Sequence, residues 1–97
     1  MNIEDEIIKM VKKATVHSSY STRKRNFSSK KLIKLLNERF IFLSLDGEDL
    51  SKTKVIVKMQ NLVTDNIIEE GGYIDEHKIN PSTFAGDVVK NFKIQVK

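Results

Sequence analysis

The first stretch of the chain repeats its apolar residues at helical spacing. Residues at i, i+4, i+7, i+8 and i+11 share one helical face, and here they are Ile3, Ile7, Met10, Val11 and Ala14. Asn2 can cap the free N–H groups at the start, with acids following in the first turn. The pattern predicts a helix over residues 3–14, and Lys9, Lys12 and Lys13 fall opposite its apolar face.

A second apolar arc follows after a polar interval. It consists of Leu32, Ile33, Leu35, Leu36 and Phe40. This spacing predicts a helix over residues 29–39, with Ser28 or Ser29 as its cap. Lys30, Lys31 and Lys34 cluster on its opposite side. Each of the first two helices is therefore predicted to bury one face and to show lysines on the other.

Two short apolar runs then suggest strands. Residues 40–45 (FIFLSL) are rich in strand-forming residues, and residues 54–59 (KVIVKM) alternate apolar and polar positions. Asp46 and Gly47, a common turn pair, lie between them. We therefore expect an antiparallel β-hairpin over these two runs.

The remaining segments are less regular. Asn80 and Pro81 form a helix start, which predicts a helix over residues 81–91, and residues 93–97 fit a closing edge strand. Residues 61–72 fit either a short helix or an extended continuation of the strand. Residues 15–29 are basic, rich in Ser and Thr, and without a clear period. They predict an arm or loop, with a short strand or helical turn as the alternative.

These elements define an α+β fold. We expect a small single domain over residues 1–97, with two N-terminal helices, a β-hairpin, a C-terminal helix and a closing edge strand. The length of 97 residues suits one domain. Because 39% of the residues are hydrophobic and 31% are charged, the chain has the composition of a globular protein.

Composition argues against several kinds of chemistry. The chain has no cysteine, only two histidines, and neither a phosphate-binding loop nor a nucleophile elbow. We therefore expect no metal site, no cofactor and no enzymatic activity. No apolar run approaches the roughly 20 residues of a membrane span. The acidic N-terminus is unlike a signal peptide, so we expect a cytoplasmic protein.

Charge is distributed very unevenly. The net charge is only +4, yet residues 7–37 contain nine cations and no acid. Residues 38–97 hold eight cations and ten acids. A stretch of one sign attracts polyanions. Lysine, isoleucine and asparagine are abundant, as in an AT-rich coding genome, so the absence of acids is more informative than the number of lysines.

The basic stretch has the residue types that bind nucleic acid. Arg23, Lys24 and Arg25 can neutralise phosphates, and Tyr20 can stack on an exposed base. We expect Phe27, by contrast, to anchor this arm to the core. The predicted nucleic-acid-binding residues are Lys12, Lys13, Tyr20, Arg23, Lys24, Arg25, Lys30, Lys31 and Lys34. The hypothesis is a small DNA-binding regulator or accessory protein of an AT-rich microbe, phage or mobile element, with RNA less favoured because RNA-binding signatures are absent.

Two arrangements of such a protein on DNA are open. In a winged-helix-like arrangement, the helix over residues 29–39 enters a groove and the hairpin forms a wing. In the other, the spacing from Ile79 to Phe84 resembles the turn and start of a helix-turn-helix recognition helix. Charge favours the first arrangement, because Asp75, Glu76 and Asp87 would oppose phosphates in the second.

Other partners are also open. The basic surface can instead bind an acidic protein partner, and the strand over residues 93–97 can support a homodimer. Membrane attachment through the first helix is the least favoured possibility. Pairing of Lys30, Lys31 and Lys34 with Asp46, Glu48 and Asp49 would neutralise the basic patch from within the chain.

Overall fold

Four helices and five short strands occupy the parts of the chain that the structure describes. A computed structural model describes residues 2–17, 25–45, 50–66, 73–75 and 79–97. In chain order the elements are α1 (Ile3–Lys13), β1 (Thr15–His17), β2 (Arg25–Ser28), α2 (Ser29–Arg39), β3 (Phe40–Leu43), α3 (Lys52–Asn66), β4 (Tyr73–Asp75), α4 (Pro81–Asn91) and β5 (Lys93–Val96). The α+β class that the sequence predicts is confirmed.

Each helix starts at a polar side chain that caps its free N–H groups. Asn2 Oδ1 accepts from the Glu4 N–H of α1 at 2.7 Å, and Ser28 Oγ accepts from the Lys31 N–H of α2 at 3.3 Å. Ser51 and Asn80 cap α3 and α4 in the same way. Local sequence thus determines where all four helices begin.

The helices pack on one another around a shared core. α1 contacts both α2 and α4, and α3 contacts the same two helices from another side. The largest side chains within this core are Ile7, Phe27, Leu32, Leu36, Phe40, Met59, Val63, Phe84, Val88 and Phe92. Burial of such side chains supplies most of the stability of a domain of this size.

The strands form two small antiparallel sheets, one at each end of α2. The first sheet has the order β1-β2-β4, and the second pairs β3 with β5. β2 leads directly into α2, and β3 follows α2 without a loop. With 11 residues, α2 spans about 16 Å between the two sheets. The molecule therefore has a three-stranded end and a two-stranded end.

The predicted strand over residues 54–59 is wrong. These residues lie inside α3, and β3 pairs with β5 instead. Val55, Met59 and Val63 are buried at a spacing of four residues, whereas Val57 is 47% exposed. The core contact made at helical spacing outweighs the β-preference of the valines. The wing that the hairpin would have formed is therefore not made by these residues.

The other predicted elements have mixed outcomes. The helices over residues 29–39 and 81–91 and the closing edge strand are confirmed. Within the arm over residues 15–29, β1 and β2 are strands. The helix-turn-helix arrangement is wrong, because the described strand β4 stands between α3 and α4. A helix-turn-helix requires two helices joined by a short turn.

The chain also contains an internal similarity that the sequence did not reveal. The helices α2 and α4 have bounds displaced by 52 residues, and each is followed by a strand, β3 or β5. Both helices have 11 residues, and Phe40 and Phe92 end them in the same way, each donating its N–H to the carbonyl four residues earlier. Phe42 pairs with Ile94, which is its counterpart 52 residues later, so the antiparallel strands β3 and β5 are related by a local pseudo-twofold axis.

Candidate functional site

One backbone hydrogen bond joins the end of α1 to the start of α2. The Ser28 N–H donates to the Ala14 carbonyl oxygen at 2.9 Å. Ala14 caps the C-terminus of α1, and Ser28 caps the N-terminus of α2. Pairing of Thr15 with Phe27 in β1 and β2 extends the same connection. The last turn of α1 and the first turn of α2 therefore lie side by side at the three-stranded end of the molecule.

Lysines occupy both of these turns. Lys12 and Lys13 end α1, and Lys30 and Lys31 begin α2. All four are exposed, and none is within ion-pair distance of a carboxylate in the described part of the chain. We call these four residues the cationic end. Lys34, also exposed, lies one turn further along α2.

The N-terminus of α2 contributes a partial positive charge here, whereas the neighbouring C-terminus of α1 contributes a partial negative one. A helix N-terminus carries a partial positive charge and is stabilised by acids in its first turn. α2 has no acid there and instead has Lys30 and Lys31. The placement costs some helix stability and raises the local attraction for anions.

The helix α4 repeats the buried positions of α2 but not its lysines. The displacement of 52 residues places Leu32, Leu36 and Phe40 on Phe84, Val88 and Phe92, and all six are buried. With the same displacement, Lys30, Lys31 and Lys34 correspond to Ser82, Thr83 and Gly86 in the sequence. The buried positions keep their apolar character, whereas the lysines have no counterpart. Their role is therefore outside the core.

The described ion pair lies toward the other end of α2. Arg39 Nε is 3.7 Å from Glu6 Oε2, and the Glu6 side chain is only 10% exposed. This contact joins the end of α2 to the first half of α1. Glu6 is thus committed to Arg39 and leaves the cationic end without an acidic neighbour from α1.

The arm residues have different outcomes. Tyr20, Arg23 and Lys24 lie outside the described residues, and Arg25 is the first residue of β2. The expected anchoring by Phe27 is confirmed, because its side chain is 1% exposed. Asp46, Glu48 and Asp49, which would neutralise the lysines, also lie outside the described residues.

The structure reveals two cations that the sequence did not place near the predicted site. Lys52 and Lys97 join Lys30 and Lys34 along a groove between α2 and α3, with a volume of about 700 Å³. No sequence signal could have found this groove, because it depends on residues 54–59 being helical rather than extended.

The described residues contain neither a metal-binding cluster nor a membrane-spanning helix. No set of three or more His, Asp or Glu side chains there is grouped to hold a metal ion. None of the helices in these parts of the chain is long and apolar enough to cross a membrane. Comparisons with known protein families, with curated proteins and with solved structures gave no match for this chain.

Proposed function

We propose that this chain is a non-catalytic nucleic-acid-binding protein, with DNA as the preferred polymer. The observation that carries the proposal is the cationic end, where two helix termini bring together four exposed lysines that form no ion pair with the described carboxylates. Each lysine that contacts a phosphate releases condensed counterions, which is the main source of affinity in non-specific binding.

The arrangement suits a nucleic-acid backbone. The start of α2 offers its dipole and Lys30 and Lys31 to one set of phosphates, and Lys12 and Lys13 extend the contact across the end of α1. Lys34 continues the contact along α2. Arg23, Lys24 and Arg25 belong to the same proposal on sequence grounds, because they fall within the acid-free stretch over residues 7–37.

The biological setting is part of the proposal. The chain cannot form the disulfides that mark many proteins of oxidising compartments, and we place it in the cytoplasm. The abundance of lysine, isoleucine and asparagine favours an AT-rich genome, such as that of a microbe, phage or mobile element. There the chain would act as a small regulator or accessory protein.

A binding titration with labelled duplex DNA, single-stranded DNA and RNA over a range of salt concentrations tests the proposal. The expected result is binding at low salt that weakens steeply as salt rises, with duplex DNA bound most tightly. Absence of binding to all three polymers at low salt would contradict it. Specific capture of an acidic protein would then support the alternative partner class.

A further inference from the structure

The groove between α2 and α3 has the character of a binding site. Its volume of about 700 Å³ is in the range of ligand sites in proteins. The walls are mainly apolar and include Ile33, Phe40, Ile41, Val55 and Ile56. Ile41 is 43% exposed, so part of the apolar wall is open to an occupant.

The edges of the groove are strongly cationic. Among the described residues, four lysines and one carboxylate line it: Lys30, Lys34, Lys52, Lys97 and Glu38. The lysines are spread along its length. Lys97 Nζ donates to the Asn37 carbonyl oxygen at 2.6 Å, and Lys30 lies about 10 Å away along α2. Among the described residues, an occupant therefore meets a lysine at both ends of an apolar surface, with Glu38 next to Asn37 at the Lys97 end.

We propose that this groove binds an acidic amphipathic helix of a partner protein. Such a helix presents an apolar stripe to a groove and carries polar residues on either side of the stripe. Acidic residues flanking the stripe would meet the lysines at both ends. A single-headed amphiphile, such as a fatty acid, would use the cations at only one end. The spread of the lysines therefore favours the acidic helix.

The proposal goes beyond nucleic-acid binding and does not depend on it. Lys12, Lys13 and Lys31 do not line the groove, whereas Lys52 and Lys97 do. The two binding activities consequently have separate diagnostic residues. Lys30 and Lys34 are available to both.

A designed peptide provides the test. The probe is a synthetic helix with leucines at i, i+3, i+4 and i+7 and glutamates at the flanking positions, measured by fluorescence anisotropy. Saturable binding is expected, and a peptide of the same composition with scrambled spacing should bind much more weakly. Equal binding of both peptides would overturn the proposal, because charge alone would then explain the interaction. Absence of saturable binding would overturn it as well.

Matched substitutions locate the bound peptide. Lys52→Glu should weaken binding roughly three- to tenfold, whereas Lys54→Glu, with the same charge change on an exposed lysine of α3 outside the groove, should not. Ile41→Glu should likewise weaken binding, and Val57→Glu should not. These two sites are 43% and 47% exposed, so neither change disturbs a buried position. Equal losses within either pair would contradict the assignment to this groove.

Failure of this inference can be told apart from failure of the nucleic-acid proposal. The combined Lys12→Gln, Lys13→Gln and Lys31→Gln variant should retain full affinity for the peptide, since none of these residues lines the groove. Loss of peptide affinity in this variant would place the peptide on the cationic end and overturn the groove assignment.

Discussion

The Ser28 N–H donates to the Ala14 carbonyl oxygen at 2.9 Å and so joins the capping residues of two helices that are separate in the sequence. Together with the packing of α1 against α2 and the pairing of β1 with β2, this contact fixes the position of Lys12 and Lys13 relative to Lys30 and Lys31. Because the bond is made between backbone atoms, side-chain substitutions at the four lysines can remove charge without removing the junction.

Lys31→Glu should change stability and nucleic-acid affinity in opposite directions. An acid in the first turn of α2 interacts favourably with the helix dipole, so the free energy of unfolding should rise by roughly 0.3 to 1 kcal/mol. The same change reverses a charge at the cationic end and should weaken binding. Chemical denaturation and a DNA titration of the same variant measure the two effects.

Lys90→Glu is the control for that substitution. Lys90 is exposed in the last turn of α4, where the helix dipole favours a cation. This variant should therefore lose stability and keep most of its affinity for DNA. If Lys31→Glu instead lowers stability, or if both variants lose the same affinity, the proposed role of the α2 N-terminus is incorrect.

The helical register of α3 can be tested at two valines. Val55 is 5% exposed and Val57 is 47% exposed. Val55→Ala should cost about 1 to 3 kcal/mol of unfolding free energy through lost packing. Val57→Ala should be neutral or slightly stabilising, because alanine is the better helix former. A comparable loss at both positions in denaturant unfolding would instead indicate that both side chains face the core, as in a strand.

The contact between Glu6 and Arg39 should appear as a coupling energy. The Nε–Oε2 distance of 3.7 Å is long, and Arg39 is 44% exposed, so solvent screens the pair. We expect Glu6→Gln and Arg39→Gln to lower the unfolding free energy, and the double variant to lose less than their sum by about 0.5 to 1 kcal/mol. Strictly additive losses would show that the two charges do not interact.

The sequence predicted those parts of the fold that depend on local signals. Ser28 and Asn80 are strong caps, and the apolar spacing after each one is helical, so α2 and α4 were predicted with their observed bounds. The prediction of a strand over residues 54–59 failed because alternating valines satisfy a strand pattern locally. Only the buried contacts of Met59 and Val63 favour a helix.

The sequence could identify the residues of the candidate site but not their arrangement in space. The absence of acids from residues 7–37 identified the lysines, but their grouping depends on the pairing of β1 with β2. That pairing is a long-range contact within a segment that has no clear period. The groove was unpredictable for the same reason, since Lys52 and Lys97 are brought to it by packing of α3 and by the β3–β5 register.

The most direct test of the central claim compares the salt dependence of duplex-DNA binding for two variants of equal charge. One carries Lys12→Gln, Lys13→Gln and Lys31→Gln at the cationic end. The other carries Lys54→Gln, Lys90→Gln and Lys93→Gln, which are exposed lysines outside that end. The account predicts that the first variant reduces the slope of log affinity against log salt by roughly 2 to 3, and that the second leaves it nearly unchanged. Equal slopes in the two variants would contradict the claim.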